Sequence, residues 1–412
     1  MKKILICYAS IGSGHRIAAE AIQEAVLPFA QVDVKLVDIL APLQGSRRKM
    51  TELASLFSML IVPQLYTRAW NSELLSELSA KIPAPPHLRR YLMTIYQEYQ
   101  PDLIVCTHAL PCTIFGKEAA RAAVTAPIIA VATDFQVHPY WPLSSIYHFI
   151  VGSEMARDRL HQWGMAVNWI SVLGIPIREQ FIESITKSKG EREATQAHRV
   201  LMLAGGKQSA PHATLWPKII LMIRHLTCLR TPCSQWTVVT GNNGWLKRLL
   251  TWIARANPQI TVTGYVQDMA TLLSESDVVL TKPGGLTLTE CLALHKPIVL
   301  LTRGAGQEAA NTQYLLDRGA AILCDDAGQT AELVERILLN GEASGLAQNA
   351  ATLAYPLAAA QIATYLLELL GVGDRSMDSD LREILGSLPL PLLFAEDHPA
   401  HGVLKVGIGQ PD

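Results

Sequence analysis

Short apolar runs alternate with helical patterns along most of this 412-residue chain, and the alternation starts twice. Ile4 to Tyr8 reads as a strand, Ser10 to His15 as a polar glycine loop, and Arg16 to Leu27 as a helix with its apolar residues at helical spacing. Further strands are expected at 32–37, 103–107, 128–132, 149–152 and 169–173. The rhythm restarts at Arg199, with a strand over 200–204, the loop Gly205-Gly206-Lys207 and a helix over 215–226. Strands are then expected at 236–240, 260–263, 278–281, 298–301 and 321–324. Such a rhythm is that of parallel sheets covered by helices on both faces. The fold class is therefore α/β, with two doubly wound domains. The N-terminal domain is expected over 1–175, a linker over 176–198, a C-terminal domain over 199–370 and a tail over 371–412, with one short helix near 381–385. Ligands of such sheets bind at the carboxyl ends of the strands. Two sheets facing across a cleft would place the Gly12 to His15 loop on one wall and Gly284 to Glu290 on the other.

The densest polar chemistry lies between Leu280 and Ala310, which reads LTKPGGLTLTECLALHKPIVLLTRGAGQEAA. A strand runs into Pro283-Gly284-Gly285, and a helix opens at Leu286-Thr287 with Glu290 near its start. Backbone N–H groups at a glycine turn and helix start favour an anion such as phosphate. A carboxylate one turn further on suits sugar hydroxyls. A glycine pair alone also marks any tight connection. Here Lys282, Thr287, Glu290, Gln307, Glu308 and Asn311 crowd into one strand–helix–strand–helix passage, which core packing does not require.

Composition narrows the partners. Formal net charge is −1, so no global field points to nucleic acid. The seven cysteines include no CxxC and no metal spacing, and read as small buried residues of a reducing compartment. The N-terminal apolar stretch runs directly into a glycine loop, so it reads as a strand and not as a signal peptide. No run approaches the roughly 18–20 apolar residues of a spanning helix. A cytoplasmic location is expected, at the cytoplasmic face of a membrane as a peripheral protein. Neither glycine loop is GxGxxG, which argues against a dinucleotide oxidoreductase.

If chemistry is done on a bound phosphorylated ligand, a side chain must be placed to take or give a proton. His15 follows Gly12-Ser13-Gly14, where the backbone can come close to substrate, and is the first candidate base. Asp134, just past an apolar strand, is the second, although a helix or turn cap is an equal reading. His138, Pro139 and Trp141 fit an acceptor pocket and fit plain loop packing equally well. Lys207 suits phosphate and suits a solvated loop. Asp378-Ser379-Asp380 has the DxD spacing of metal-dependent sugar transferases, but stands outside any strand–loop setting, so no metal is expected.

Residues 41–100 break the rhythm. They carry seven Lys/Arg against four Asp/Glu, with Arg47, Arg48 and Lys49 beside Leu53, Leu56, Phe57, Leu60 and Ile61 at helical spacing. An amphipathic helix on an anionic membrane surface is one reading, with Tyr66 and Trp70 as interfacial aromatics. A core helix of the first domain is the other.

The motifs SIGSGHRIAAEAI, VATDFQVHPYW, TKPGGLTLTE and GAGQEAANTQYLLDRGAA together resemble the monogalactosyl-diacylglycerol synthases and processive diacylglycerol glucosyltransferases, over roughly residues 1–370. The resemblance implies a GT-B fold, a UDP-sugar donor, no metal or other cofactor, and inverting transfer of a hexose to a membrane lipid, diacylglycerol first. It implies that Gly284, Gly285, Leu286 and Thr287 hold the diphosphate, Glu290 the ribose, Val266 the uracil, and Gln307 and Glu308 the hexose, with Gly205 also in the nucleotide-sugar site. His15 and Asp134 would be catalytic, with Gly14, His138 and Trp141 at the acceptor. His295 stands where the family commonly has glycine, and Gly304-Ala305-Gly306 replaces a proline-glycine turn. The nearest alternatives are an N-acetylglucosamine transferase acting on lipid-linked peptidoglycan precursor and a UDP-N-acetylglucosamine 2-epimerase. A non-catalytic UDP-sugar sensor is the binding-protein alternative.

Overall fold

A computed structural model describes residues 1–10, 12–43, 63–81, 83–187, 197–205, 212–228 and 234–372. Lys207, the 46–61 amphipathic stretch with Arg47, Arg48 and Lys49, and the tail with Asp378 and Asp380 lie outside them.

In chain order the first strands and helices are β1 (Lys2–Tyr8), α1 (Gly14–Val26), β2 (Val32–Asp38), α2 (Pro63–Trp70), α3 (Glu73–Lys81) and α4 (Pro86–Tyr99). Next come β3 (Leu103–Cys106), α5 (Ala109–Ala119), β4 (Ile128–Val131), β5 (His148–Val151), α6 (Glu154–Gln162), β6 (Ile170–Val172) and α7 (Glu179–Lys187). The second set opens with β7 (His198–Leu203), α8 (His212–Cys228), β8 (Ser234–Val239), α9 (Gly244–Ala254), β9 (Ile260–Thr263) and α10 (Met269–Ser274). It continues with β10 (Val278–Thr281), α11 (Gly285–Ala293), β11 (Ile298–Leu300), α12 (Gln307–Asp317) and β12 (Ala321–Leu323). Helices α13 (Thr330–Leu339), α14 (Glu342–Thr352) and α15 (Ala358–Leu369) close the described chain.

Every strand expected from the sequence is present. The reason is visible in their burial. Leu103–Cys106, Ile128–Val131, His148–Val151 and Val278–Thr281 are buried at each position. A parallel strand covered on both faces reads as an unbroken apolar run, and such runs are hard to mistake.

The first unit comprises 1–45, 71–178 and the chain from 357 onward. Its six strands are all parallel, in the order β2-β1-β3-β4-β5-β6. The order reverses between β1 and β3, whose ends are level: Cys7 lies beside Cys106. The second unit comprises 46–70 and 179–356, with a parallel sheet ordered β12-β11-β10-β7-β8-β9. Here the reversal falls between β7 and β10. Open α/β sheets bind ligands at such switch points, outside the carboxyl ends of the strands.

The units divide the chain differently from the expected order. Helix α15 follows the second sheet in sequence, yet Ile362, Ala363, Leu366 and Leu367 share an apolar cluster with Ala19, Ile22 and Val26 of α1. Helix α7 falls in the expected linker, yet groups with the second unit and buries Phe181. Helix α2 also groups with the second unit. Trp70 at its end is 7% exposed, so it is not an interfacial aromatic. His295, after α11, has φ +52°, a left-handed backbone that glycine adopts without strain.

Candidate active site

In the first unit the chain leaves β1 through Gly12, whose φ is +81°, and enters α1 at Gly14. Ser13 makes no side-chain cap bond. Thr107, the residue after β3, ties the first turn of α1 to the sheet. Its hydroxyl donates to the His15 carbonyl oxygen at 2.9 Å, and its own carbonyl oxygen lies 2.8 Å from His15 Nδ1. A carbonyl can only accept, so Nδ1 carries the proton and Nε2 keeps a lone pair. Thr133 Oγ1, just past β4, lies 2.9 Å from the same Nδ1.

His108 and His138 have the opposite tautomer. Nδ1 of His108 accepts from the Leu110 N–H at 3.0 Å and caps α5; Nδ1 of His138 accepts from the Tyr140 N–H at 3.2 Å. Their protons are therefore on Nε2 when neutral. The His108 ring meets His15 edge-on, with centroids 4.6 Å apart.

All three imidazoles are held below the ordinary histidine value. Burial is the main cause at each. His108 also faces the charges of His15 and His138, and is pushed well down. His138 is pushed down to about 4, with His15 as the second cause. For His15 the Asp134 carboxylate works the other way and raises it, as does the bond to Thr107. The site thus holds a neutral imidazole with one nitrogen lone pair and a carboxylate that would stabilise its protonated form. That is the equipment of a general base.

Trp141 is largely in the core. It is 7% exposed, stacks on His138 with centroids 5.9 Å apart, and meets Phe149 edge-on.

In the second unit Gly205 follows β7 with φ +81°. Beside it, across the switch point, β10 ends at Thr281 and runs through Lys282 and Pro283 to Gly284, the residue before α11. Helices α9 and α10 are capped by side chains, Asn243 Oδ1 on the Leu246 N–H and Asp268 Oδ1 on the Thr271 N–H. Helix α11 has no side-chain cap, which leaves its first-turn amides at Gly285, Leu286 and Thr287 for an anion. Thr287 is partly exposed, and Glu290 in the next turn is buried at 8%.

Two glycines then bend the chain into α12. Gly304 has φ +69° and Gly306 φ +58°. A Cβ on Gly304 would stand 2.5 Å from Glu308 Cβ, so the turn closes against Glu308. Lys282 Nζ donates to Glu308 Oε1 at 2.5 Å and fixes that carboxylate beside Gly284. Asn311, fully buried, donates to the Pro283 carbonyl at 3.1 Å and ties α12 to the glycine turn. The Gly306 N–H donates to Thr67 Oγ1 at 3.0 Å, across 239 positions of sequence. Val266, in the loop after β9, is partly exposed, as is Gln307.

The structure therefore gathers His15, Asp134 and His138 at the carboxyl ends of the central strands of one sheet, and Gly284, Gly285, Thr287, Glu290 and Glu308 at those of the other. Sequence reasoning missed Thr107, His108, Thr133 and Thr67. Thr107-His108 stands directly past an apolar strand, as Asp134 does, and that signal was available. Thr67 had none.

The family model of monogalactosyldiacylglycerol (MGDG) synthase matches residues 15–177. That of the glycosyltransferase family 28 C-terminal domain matches residues 200–363. The processive diacylglycerol beta-glucosyltransferase of Bacillus pumilus (strain SAFR-032) is 28% identical over 349 residues, 83% of this chain and 88% of that protein. The enzyme of the same description from Bacillus subtilis (strain 168) is 26% identical over 344 residues, 82% of this chain and 87% of the relative. Among solved structures, S. aureus MnaA with UDP has a TM-score of 0.61 at 12% identity, covering 90% of this chain and 98% of its own. Acinetobacter baumannii MurG has a TM-score of 0.56 at 12% identity, covering 89% and 100%. At such identity the likeness is one of fold, and the fold is GT-B.

Proposed function

We infer that this chain, which belongs to the family of the monogalactosyldiacylglycerol synthases and processive diacylglycerol glucosyltransferases and is a UDP-sugar-dependent hexosyltransferase, uses diacylglycerol as acceptor and inverts the anomeric carbon. The observation that carries the reading is the fixed tautomer of His15. Its Nε2 lone pair stands at the switch point of the first sheet, inside the stretch that matches the monogalactosyldiacylglycerol synthase model.

His15 Nε2 takes the proton of the acceptor hydroxyl as that oxygen attacks the anomeric carbon. The bond from that carbon to the UDP oxygen breaks, and UDP leaves with the electron pair. Asp134 favours the imidazolium that forms. The amides of Gly285, Leu286 and Thr287, with Gly205 and Gly284 allowing close approach, take the diphosphate. Glu290 receives the ribose hydroxyls, Val266 the uracil, and Gln307 and the Lys282-bound Glu308 the hexose. Gly14, His138 and Trp141 belong to the acceptor side. Among the described residues no helix is long and apolar enough to cross a membrane. A lipid acceptor is then met at a membrane surface, which we assign to the cytoplasmic face.

The test is a product assay. The protein is incubated with UDP-glucose, UDP-galactose or UDP-N-acetylglucosamine and with diacylglycerol or a lipid-linked peptidoglycan precursor in mixed micelles, and products are identified by mass spectrometry. A hexosyl-diacylglycerol, with UDP release rising on addition of the lipid, is expected. UDP-sugar conversion that ignores lipid would replace the reading with an epimerase, and transfer only to the precursor would replace the acceptor.

A further inference from the structure

Helix α9 turns Leu246, Leu250 and Ala254 into the core of the second unit. Its outer face is unusual. Trp245 is 54% exposed and Trp252 is 65% exposed. Tryptophan is highly buried on average, so two on one exposed helix face need an explanation. They stand seven residues apart, about two turns, and so share a stripe. Arg248 lies between them on that stripe, Arg255 follows Trp252 by three residues, and Lys247 stands alongside; all three are exposed. No Asp or Glu occurs from Gly244 to Arg255. Among the described residues these three cations take part in no ion pair.

The neighbouring helix α8 extends the patch. Leu221 is 46% exposed, Arg224 is exposed, and the partly buried Trp216 ring lies 6.1 Å from that of Trp245. The result is an indole and guanidinium surface about 15 Å long, with its aromatic and cationic groups interleaved.

We propose that this face of the second unit, centred on Trp245, Arg248 and Trp252, docks on an anionic lipid bilayer. The interleaving selects the partner. The headgroup region takes an indole and a guanidinium side by side, because it is apolar below and wet and anionic above. Protein interfaces also favour tryptophan and arginine but are depleted in lysine, whereas this face adds Lys247 and carries no acid to balance its three cations. A second copy of the chain packed here about a two-fold axis would bring the same cations face to face. The inference goes beyond the acceptor reading, since it concerns where the protein rests and not which hydroxyl it glycosylates.

The test uses the full chain and vesicles of phosphatidylcholine with increasing phosphatidylglycerol. Each surface cation is worth about fivefold in binding to such a membrane. Co-sedimentation of the Lys247→Gln/Arg248→Gln/Arg255→Gln variant should fall at least about tenfold at low salt, and converge with the parent at high salt. Trp245→Ala/Trp252→Ala should fall comparably and lose most of the blue shift in tryptophan emission that vesicles produce. UDP affinity should be unchanged in both variants, and so should the melting temperature of the glutamine variant, whose three side chains are exposed. If the tryptophan pair misfolds, the glutamine variant decides. Parental binding by both variants overturns the proposal, as does binding indifferent to phosphatidylglycerol and salt. Loss confined to Arg47→Gln/Arg48→Gln/Lys49→Gln overturns it too, and so does concentration-dependent self-association abolished by the tryptophan pair. None of these results would depend on which sugar or acceptor the enzyme uses.

Discussion

His15 donates its Nδ1 proton to the carbonyl oxygen of Thr107 across 2.8 Å, and that one bond decides which imidazole nitrogen is free to accept. His15 lies in the first turn of α1, which follows β1, and Thr107 directly follows β3, the strand beside β1 where the order reverses. A backbone carbonyl cannot be removed by substitution and cannot donate, so the tautomer is set by the fold itself. Burial then keeps the ring neutral near pH 7.

Replacing His15 with alanine should lower kcat by roughly 10²–10⁴-fold, the usual weight of a general base. UDP affinity, measured by calorimetry, should be nearly intact, because the UDP contacts are assigned to the second unit. A variant that keeps most of its turnover would transfer the role to another group, Asp134 first.

The pH profile separates Asp134 from a mere cap. His15 titrates below the ordinary histidine value, so activity should be lost only as pH falls beneath that value. Asp134 raises the His15 value, so Asp134→Asn should lower it further. The acid limb of kcat/KM then moves to lower pH, while the plateau drops because the imidazolium has lost its counter-charge. An unmoved limb would mean that the carboxylate and the imidazole are not coupled.

Glu290→Gln keeps the volume of a buried side chain and removes its charge. Charge-assisted hydrogen bonds to hydroxyls contribute about 1.5–3 kcal/mol, so UDP should bind roughly ten- to a hundredfold more weakly. Uridine diphosphate titrated into the parent and the variant gives the comparison. Equal affinities would remove Glu290 from the ribose site.

Gly304→Ala tests the turn before α12. The new Cβ would meet Glu308 Cβ at 2.5 Å, at a φ of +69°. A left-handed non-glycine residue costs about 1–2 kcal/mol before any clash is counted. A melting temperature lower by at least about 2–4 °C is expected. KM for the UDP-sugar should rise as Glu308 leaves Lys282. A variant with parental melting and KM would show that the turn yields easily and does not position the carboxylate.

Metal removal probes the diphosphate site. With the amides of Gly285, Leu286 and Thr287 uncapped, helix α11 can carry the leaving-group charge alone. Activity should survive EDTA within about twofold, the scatter of such an assay being smaller than the tenfold per 1.4 kcal/mol of a lost contact. Full loss, restored by Mg²⁺ or Mn²⁺, would assign the diphosphate to a cation.

Much of the candidate site is named by local signals in the sequence. The turn Pro283-Gly284-Gly285 with Glu290 one turn later needs no knowledge of the rest of the chain, since glycine and helix-start chemistry are short-range. The loop Gly12 to His15 is readable for the same reason. Thr67 was not legible. Its hydroxyl reaches Gly306 from a segment whose helical spacing speaks of burial or a membrane surface, not of a glycine turn 239 positions away.

Strand positions, parallel pairing and the glycine turns were determined by sequence alone, because unbroken apolar runs and positive-φ residues constrain the backbone wherever they occur. The tertiary structure alone decided the partners. Helix α15 shows it: AAAQIATYLLEL announces an apolar helix, yet only packing against Ala19, Ile22 and Val26 returns it to the first unit. The tautomer of His15 was decided the same way, by a carbonyl 92 positions distant in sequence. Hydrophobic burial is non-directional, so a pattern of apolar residues states that a surface will be covered. Which surface covers it, and which carbonyl meets which nitrogen, is settled only when the sheets have formed.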